Sequence, residues 1–108
     1  MIDRDPAHER QLVELAARAA GTPNAVSILS FAQARMLDGG IRPRSIEQWR
    51  QEIREELADA VNYCCWTILA IRAAFDAGEQ WACDLYVQTM GALVGVLIAW
   101  DALHRQPS

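Results

Sequence analysis

Glu52, Glu55, Glu56 and Asp59 follow one another at offsets of 0, 3, 4 and 7 within a stretch otherwise rich in apolar residues, Ile46 to Phe75. On a helix these offsets share a face. At about 100° per residue, with Glu52 as zero, Glu56 lies near ~40°, Asp59 near ~340° and Glu55 near ~300°, about a third of the circumference. Like charges so spaced repel by a few tenths of a kcal/mol per pair in water, and by more where solvent is scarce. A divalent cation relieves that repulsion. Hard carboxylate oxygens suit Mg²⁺ or Mn²⁺, and Mg²⁺ typically takes one or two carboxylates, several waters and phosphate oxygens. The chemistry of such a site is cleavage of phosphate esters and anhydrides. The competing reading is a solvated acidic face near a helix start. Arg50 and Arg54 fall near ~160° and ~200°, so they do not neutralise the centre of the stripe from within the helix.

The elements that position this stripe are marked by caps, prolines and glycines. Asp5-Pro6 opens a first helical segment that Gly21 closes, and Thr22-Pro23 opens a second. The second runs to Leu37, draws its apolar surface from Val26, Leu29, Phe31, Met36 and Leu37, and stops at Asp38-Gly39-Gly40. A short loop, Ile41 to Arg44, follows. Ser45 with Gln48 reads as a capping box, and no Gly or Pro interrupts the chain until Gly78, so the third segment is expected to be one long helix. Its apolar face is Ile46, Trp49, Ile53, Leu57, Ala60, Val61, Cys64 and Ile68, beside the carboxylates. The line of the stripe continues as Tyr63, Trp66, Ala70 and Ala74, a packing surface. The last segment, Glu79 to about His104, is apolar on nearly all sides between Met90 and Trp100, which places it between partners. No strand signal is present. The expected architecture is an all-α bundle of four helices forming a single domain over residues 1–108, assembled as a homodimer or tetramer.

Composition bounds the function. With 108 residues, 52% of them hydrophobic, the chain suffices for one core and gains from oligomerisation. A net charge of −4 and a pI near 5.0 leave no basic stripe for a nucleic-acid polymer. Cys64, Cys65 and Cys83 have no metal-ligand spacing and an odd count, which suits a reducing cytoplasm. The N-terminus has no apolar signal core. The longest apolar run, Met90 to Trp100, has 11 residues, short of the roughly 18 to 20 of a membrane span; a soluble, cytoplasmic protein with no membrane partner is expected. His8 and His104 lie in different segments, and neither a nucleophile elbow nor a P-loop is present.

The stretch Glu55-Glu56-Leu57-Ala58-Asp59-Ala60-Val61-Asn62-Tyr63, preceded by Trp49, resembles the E-E-L-x-D-x-x-x-Y segment of the MazG-like all-α NTP pyrophosphohydrolases. Four helices with this segment on the third also match that superfamily. The resemblance implies Glu56 and Asp59 as metal ligands, Glu52 and Glu55 as catalytic residues (further ligand or general base for the attacking water), and Asn62 as a contact to the nucleotide. It implies cleavage of a nucleoside triphosphate to the monophosphate and pyrophosphate. Trp49, Tyr63, Trp66 and Trp81 are candidates for stacking a base, with Trp49 and Tyr63 nearest the stripe; Arg35, Arg42 and Arg44 are candidates for phosphate contact. The family's first carboxylate pair lies on the preceding helix, where this chain has Ser27, Ser30 and Gln33. The alternative expectation is therefore a non-catalytic helical interaction protein of the same architecture.

Overall fold

The computed structural model describes residues 2–35 and 40–105, and the chain divides into two compact units, Met1–Pro43 and Arg44–Ser108. The described residues are helical apart from short connections and one two-residue antiparallel pairing. The described residues form four α-helices: α1 (Pro6–Ala19), α2 (Ile28–Ala34), α3 (Ile46–Asp76) and α4 (Gln80–His104).

In the first unit, the Asp5 side chain accepts the backbone N–H of His8 and Pro6 occupies the first turn, as the sequence predicts for a helix start. The helix ends in a Schellman motif. Gly21, at φ +71°, donates to the carbonyl of Arg18, and Thr22 donates to that of Ala17. The segment opened by Thr22-Pro23 departs from expectation, because it begins as a 3-10 turn, Pro23–Ser27, and becomes α-helical only at Ile28. Thr22 makes no side-chain cap there. The helix ends at Ala34 with Arg35 as its C-cap, short of the expected end at Leu37; the predicted stop at Asp38-Gly39 and the apolar residues Met36 and Leu37 lie outside the described residues. Ile2–Asp3 pairs with Gly40–Ile41, a contact no periodicity could signal because each strand has two residues. Among the described residues of this unit, Ala17 and Leu29 are the buried side chains.

Glu9 ties its ends together. Arg4 Nε donates to Glu9 Oε2 at 3.0 Å, and Gln33 Nε2 donates to Oε1 at 3.1 Å. The Arg4 guanidinium first, and the Gln33 amide second, hold the Glu9 carboxyl below its ordinary pKa.

The second unit is a helical hairpin. Ser45 and Gln48 form both bonds of the capping box, and the helix they open runs unbroken for 31 residues, about 46 Å. A second Schellman motif closes it, with Gly78 at φ +76° donating to Phe75 and Glu79 donating to Ala74. Three residues, Ala77 to Glu79, reverse the chain into α4, whose 25 residues span about 37 Å. The helices pack along their length, and Phe75 and Tyr86 stack near the turn with ring centroids 4.5 Å apart. Ile71, Ala82 and Thr89 are buried in this seam.

The difference in helix length explains which apolar residues of α3 stay open. Running back from the turn, α4 ends opposite about residue 52, so Ile46, expected on the packing face, lies beyond its reach and is 73% exposed. Ile53 stays half exposed near the same end. By length and composition alone, α4 is the one described helix that would suffice to cross a membrane.

Two measurements test this account. Ile71→Ala removes the largest buried side chain of the hairpin and is expected to cost about 2 kcal/mol in urea unfolding, whereas Leu69→Ala on the open face stays within about 0.5 kcal/mol; equal losses contradict the placement of the seam. Because the folded Glu9 pKa is lowered, its stabilisation is present above the ordinary carboxylate pKa and vanishes as pH falls through the folded value. Carboxyl NMR titration should give Glu9 a midpoint below the ordinary glutamate value, and Glu9→Gln should remove its share of the acid-side loss of stability.

Candidate functional site

The seam residues Leu57, Val61, Cys64, Ile68 and Ile71 centre about 140° round α3 from Glu52. The carboxylate stripe therefore points away from α4. Glu55, Glu56 and Asp59 are exposed and Glu52 is half-buried. Their environments differ. Glu52 Oε1 pairs with Arg44 Nη1 at 3.4 Å, and Glu55 Oε1 accepts from Gln51 Nε2 at 3.4 Å. Among the described residues, Glu56 and Asp59 take part in no hydrogen bond or ion pair of their side chains. They stand one turn apart on the same face, with lone pairs directed to solvent.

Arg44 was expected as a phosphate contact, and its position has a local cause. It is the residue before the N-cap Ser45, and Trp49 is the fourth residue of the helix. These are the two positions of a hydrophobic staple, whose side chains meet across the first turn. The Arg44 guanidinium lies over the Trp49 ring, 4.7 Å from its centroid, and reaches Glu52 on the next turn. The signal was present in the sequence as the Arg44/Ser45/Trp49 spacing. Arg50 and Arg54 do stay off the stripe: both approach Glu47, at 3.2 and 3.8 Å. Arg54 Nε is buried without a hydrogen-bond partner.

The three residues assigned to substrate do not converge. Trp49 and Tyr63 are 14 positions apart, about 21 Å along the axis, and cannot share one base. Asn62 and Tyr63, adjacent in sequence, open onto opposite edges of the hairpin. Asn62 lines a groove of about 320 Å³ with Leu57, Val61, Val96, Leu97 and Trp100. Tyr63 lines another of about 310 Å³ with Thr67, Gln88 and Thr89. Tyr63 also meets Trp66 edge to face, with centroids 5.6 Å apart, and both rings are exposed. Thus the aromatic pair beside the unpaired carboxylates is Tyr63 and Trp66, whereas Trp49 is engaged by Arg44.

Among the described residues, no three His, Cys, Asp or Glu side chains gather closely enough to hold a metal ion. The reason is axial: Glu52 and Asp59 are about 10 Å apart along α3, and Glu52 and Glu55 turn to Arg44 and Gln51. Glu56 and Asp59 nevertheless suit Mg²⁺, which often takes only two protein carboxylates and completes its shell with water and phosphate. In the preceding helix, Ser30 is exposed and Gln33 is committed to Glu9. Comparison with protein-family models, curated proteins and solved structures returns no match.

The Arg44–Glu52 pair is open to solvent, so a double-mutant cycle with Arg44→Ala and Glu52→Gln should give a coupling of about 0.2–1 kcal/mol that falls with added salt. A larger, salt-insensitive coupling would contradict the exposed geometry.

Proposed function

We propose that this protein is a Mg²⁺- or Mn²⁺-dependent nucleoside triphosphate pyrophosphohydrolase of MazG-like type, releasing nucleoside monophosphate and pyrophosphate. The observation that carries the reading is the unpartnered Glu56–Asp59 pair, one turn apart and followed on the same line of α3 by the exposed Tyr63–Trp66 pair. The residue order matches the resemblance from Glu55 to Tyr63.

In this reading Glu56 and Asp59 hold the cation at the phosphates. When bound there, the metal neutralises phosphate charge and lowers the pKa of water. Glu55 lies on the same face, and its one contact, to the exposed Gln51 amide, exchanges readily with solvent. It is positioned to accept the proton of a water attacking the α–β anhydride. Glu52 stays with Arg44 at the start of the stripe, and Arg44 carries its positive charge on the side from which a phosphate would approach. Tyr63 and Trp66 offer the base an aromatic surface, and Asn62 offers an amide at the adjoining edge. The free thiols of Cys64, Cys65 and Cys83 fit a cytoplasmic setting.

One observation favours a second reading, a non-catalytic interaction protein with the same architecture. Gln33 and Ser30 stand where the resemblance calls for a second carboxylate pair, and no described cluster substitutes for it.

Calorimetric titration with Mg²⁺ and Mn²⁺, with and without a non-hydrolysable nucleoside triphosphate, separates the two. Binding that tightens with nucleotide, together with pyrophosphate release that falls by about 100-fold or more in Glu56→Gln and in Asp59→Asn, is expected for the hydrolase. No metal binding by the unaltered chain overturns it in favour of the interaction protein.

A further inference from the structure

The two grooves of the hairpin stand in different relations to the carboxylates. With Glu52 again as zero, Glu56 lies near ~40° round α3, Ala60 near ~80°, Tyr63 near ~20° and Thr67 near ~60°, so a single strip of the helix runs from Glu56 into the groove of about 310 Å³ that Tyr63 lines. Asn62 and its groove fall near ~280°, on the other side of the stripe. The linings differ as well. The Asn62 groove has apolar walls and a single amide, whereas the Tyr63 groove adds the hydrogen-bonding groups of Thr67, Gln88 and Thr89 to the apolar surface of Leu85 and Ala92. Among the described residues, none of those lining the Tyr63 groove is charged.

Several of these polar groups are free. Thr89 is the buried polar residue of the hairpin, 8% exposed, and among the described residues its hydroxyl makes no hydrogen bond. Buried hydroxyls are ordinarily bonded, so this one has a donor and an acceptor to offer a molecule in the groove. The exposed amide of Gln88, the preceding residue, likewise has no partner among the described residues. Across the groove, the Thr67 hydroxyl donates to the Tyr63 carbonyl at 2.7 Å and keeps its lone pairs for accepting. Trp66, near ~320°, meets the Tyr63 ring edge to face from the side away from the groove and so props the groove's aromatic wall.

The geometry points to the Tyr63 groove as the seat of the substrate's nucleoside, with Gln88 and Thr89 of α4 as its specificity-determining residues. The assignment rests on the pyrophosphohydrolase reading of Glu56 and Asp59. A nucleoside is uncharged and largely a flat ring, and it carries donors beside acceptors at its rim; the Gln88 amide presents one of each, side by side, and Thr89 and Thr67 add single groups. Apolar walls with a few placed polar groups are the usual form of such a site. Reach agrees with this. The midpoint of Glu56 and Asp59 lies about 12 Å along α3 from that of Cys64 and Thr67, a span an extended nucleoside triphosphate covers with its phosphates at the carboxylates. The substrate class is therefore nucleotides, as against inorganic polyphosphates, which would use the carboxylates and leave the groove empty.

The test is calorimetric titration of the full chain with the Mg²⁺ complexes of α,β-methylene ATP, GTP, CTP and UTP and, in parallel, of inorganic tripolyphosphate, which has no nucleoside. The variants are Gln88→Leu at an exposed position, Thr89→Val, which keeps the side chain's shape and removes its hydroxyl, and Leu97→Ala in the other groove, with circular dichroism as the check on folding. The parent should bind at least one of the four nucleotides about tenfold or more tighter than tripolyphosphate, as stacking on Tyr63 implies. Gln88→Leu and Thr89→Val should each weaken that nucleotide by at least about threefold and leave tripolyphosphate unchanged; Leu97→Ala should change neither. Equal affinity of the parent for nucleotide and tripolyphosphate, nucleotide binding unaffected by both α4 variants, or a loss confined to Leu97→Ala would each overturn the groove assignment and leave the metal site standing. Absence of any Mg²⁺-dependent binding by the parent would overturn the assignment and the hydrolase reading together.

Discussion

Two helices packed against each other can bury only the stripe that each turns to its partner, and this limit governs the second unit. A helix offers more than one face, and α3 and α4 are apolar over more than one. The seam takes Ile71, Ala82 and Thr89 out of solvent and leaves Trp66, Leu69, Val87, Val94 and Ile98 in it. Among the described residues, no large side chain is fully buried. The hairpin is thus held by its length and its turn more than by a deep core. Gly78 is what permits the turn. Its positive φ closes α3 with two backbone bonds, and the reversal occupies only Ala77 to Glu79.

The same limit places the acidic stripe. Because the apolar seam sits about 140° away from Glu52, the carboxylates project toward solvent and not into the contact with α4. Their neighbours then divide them. The staple at the start of α3 draws Arg44 onto Trp49 and Glu52, and Gln51 takes Glu55. Glu56 and Asp59, in the middle, are left with open coordination. A cation or a basic partner is favoured there by the repulsion of the stripe itself, since nothing on α3 relieves it.

Helix ends and their caps were legible in advance because they depend on residues within one turn of each other. Asp5-Pro6, Ser45 with Gln48, Gly21 and Gly78 each act through bonds to backbone a few positions away, so their effects survive any tertiary arrangement. The stagger of the hairpin was not legible in this way. Ile46 and Leu57 carry the same periodic signal, yet one lies past the end of α4 and the other lines a groove against it. The bond between Glu9 and Gln33 is hidden for a similar reason: the 24 positions between them exceed any local pattern.

The sequence by itself determined α1, α3 and α4 with their limits, the unbroken length of α3, and the common face of Glu52, Glu55, Glu56 and Asp59, because helical geometry and capping are local. Only the tertiary structure decided which of those carboxylates are occupied, that Asn62 and Tyr63 open onto different grooves, and which face of α4 is turned outward. Those outcomes depend on which stripe of each helix is desolvated against the other. An all-round apolar helix such as α4 does not carry that choice in its periodicity, and the packing of α3 against it makes the choice.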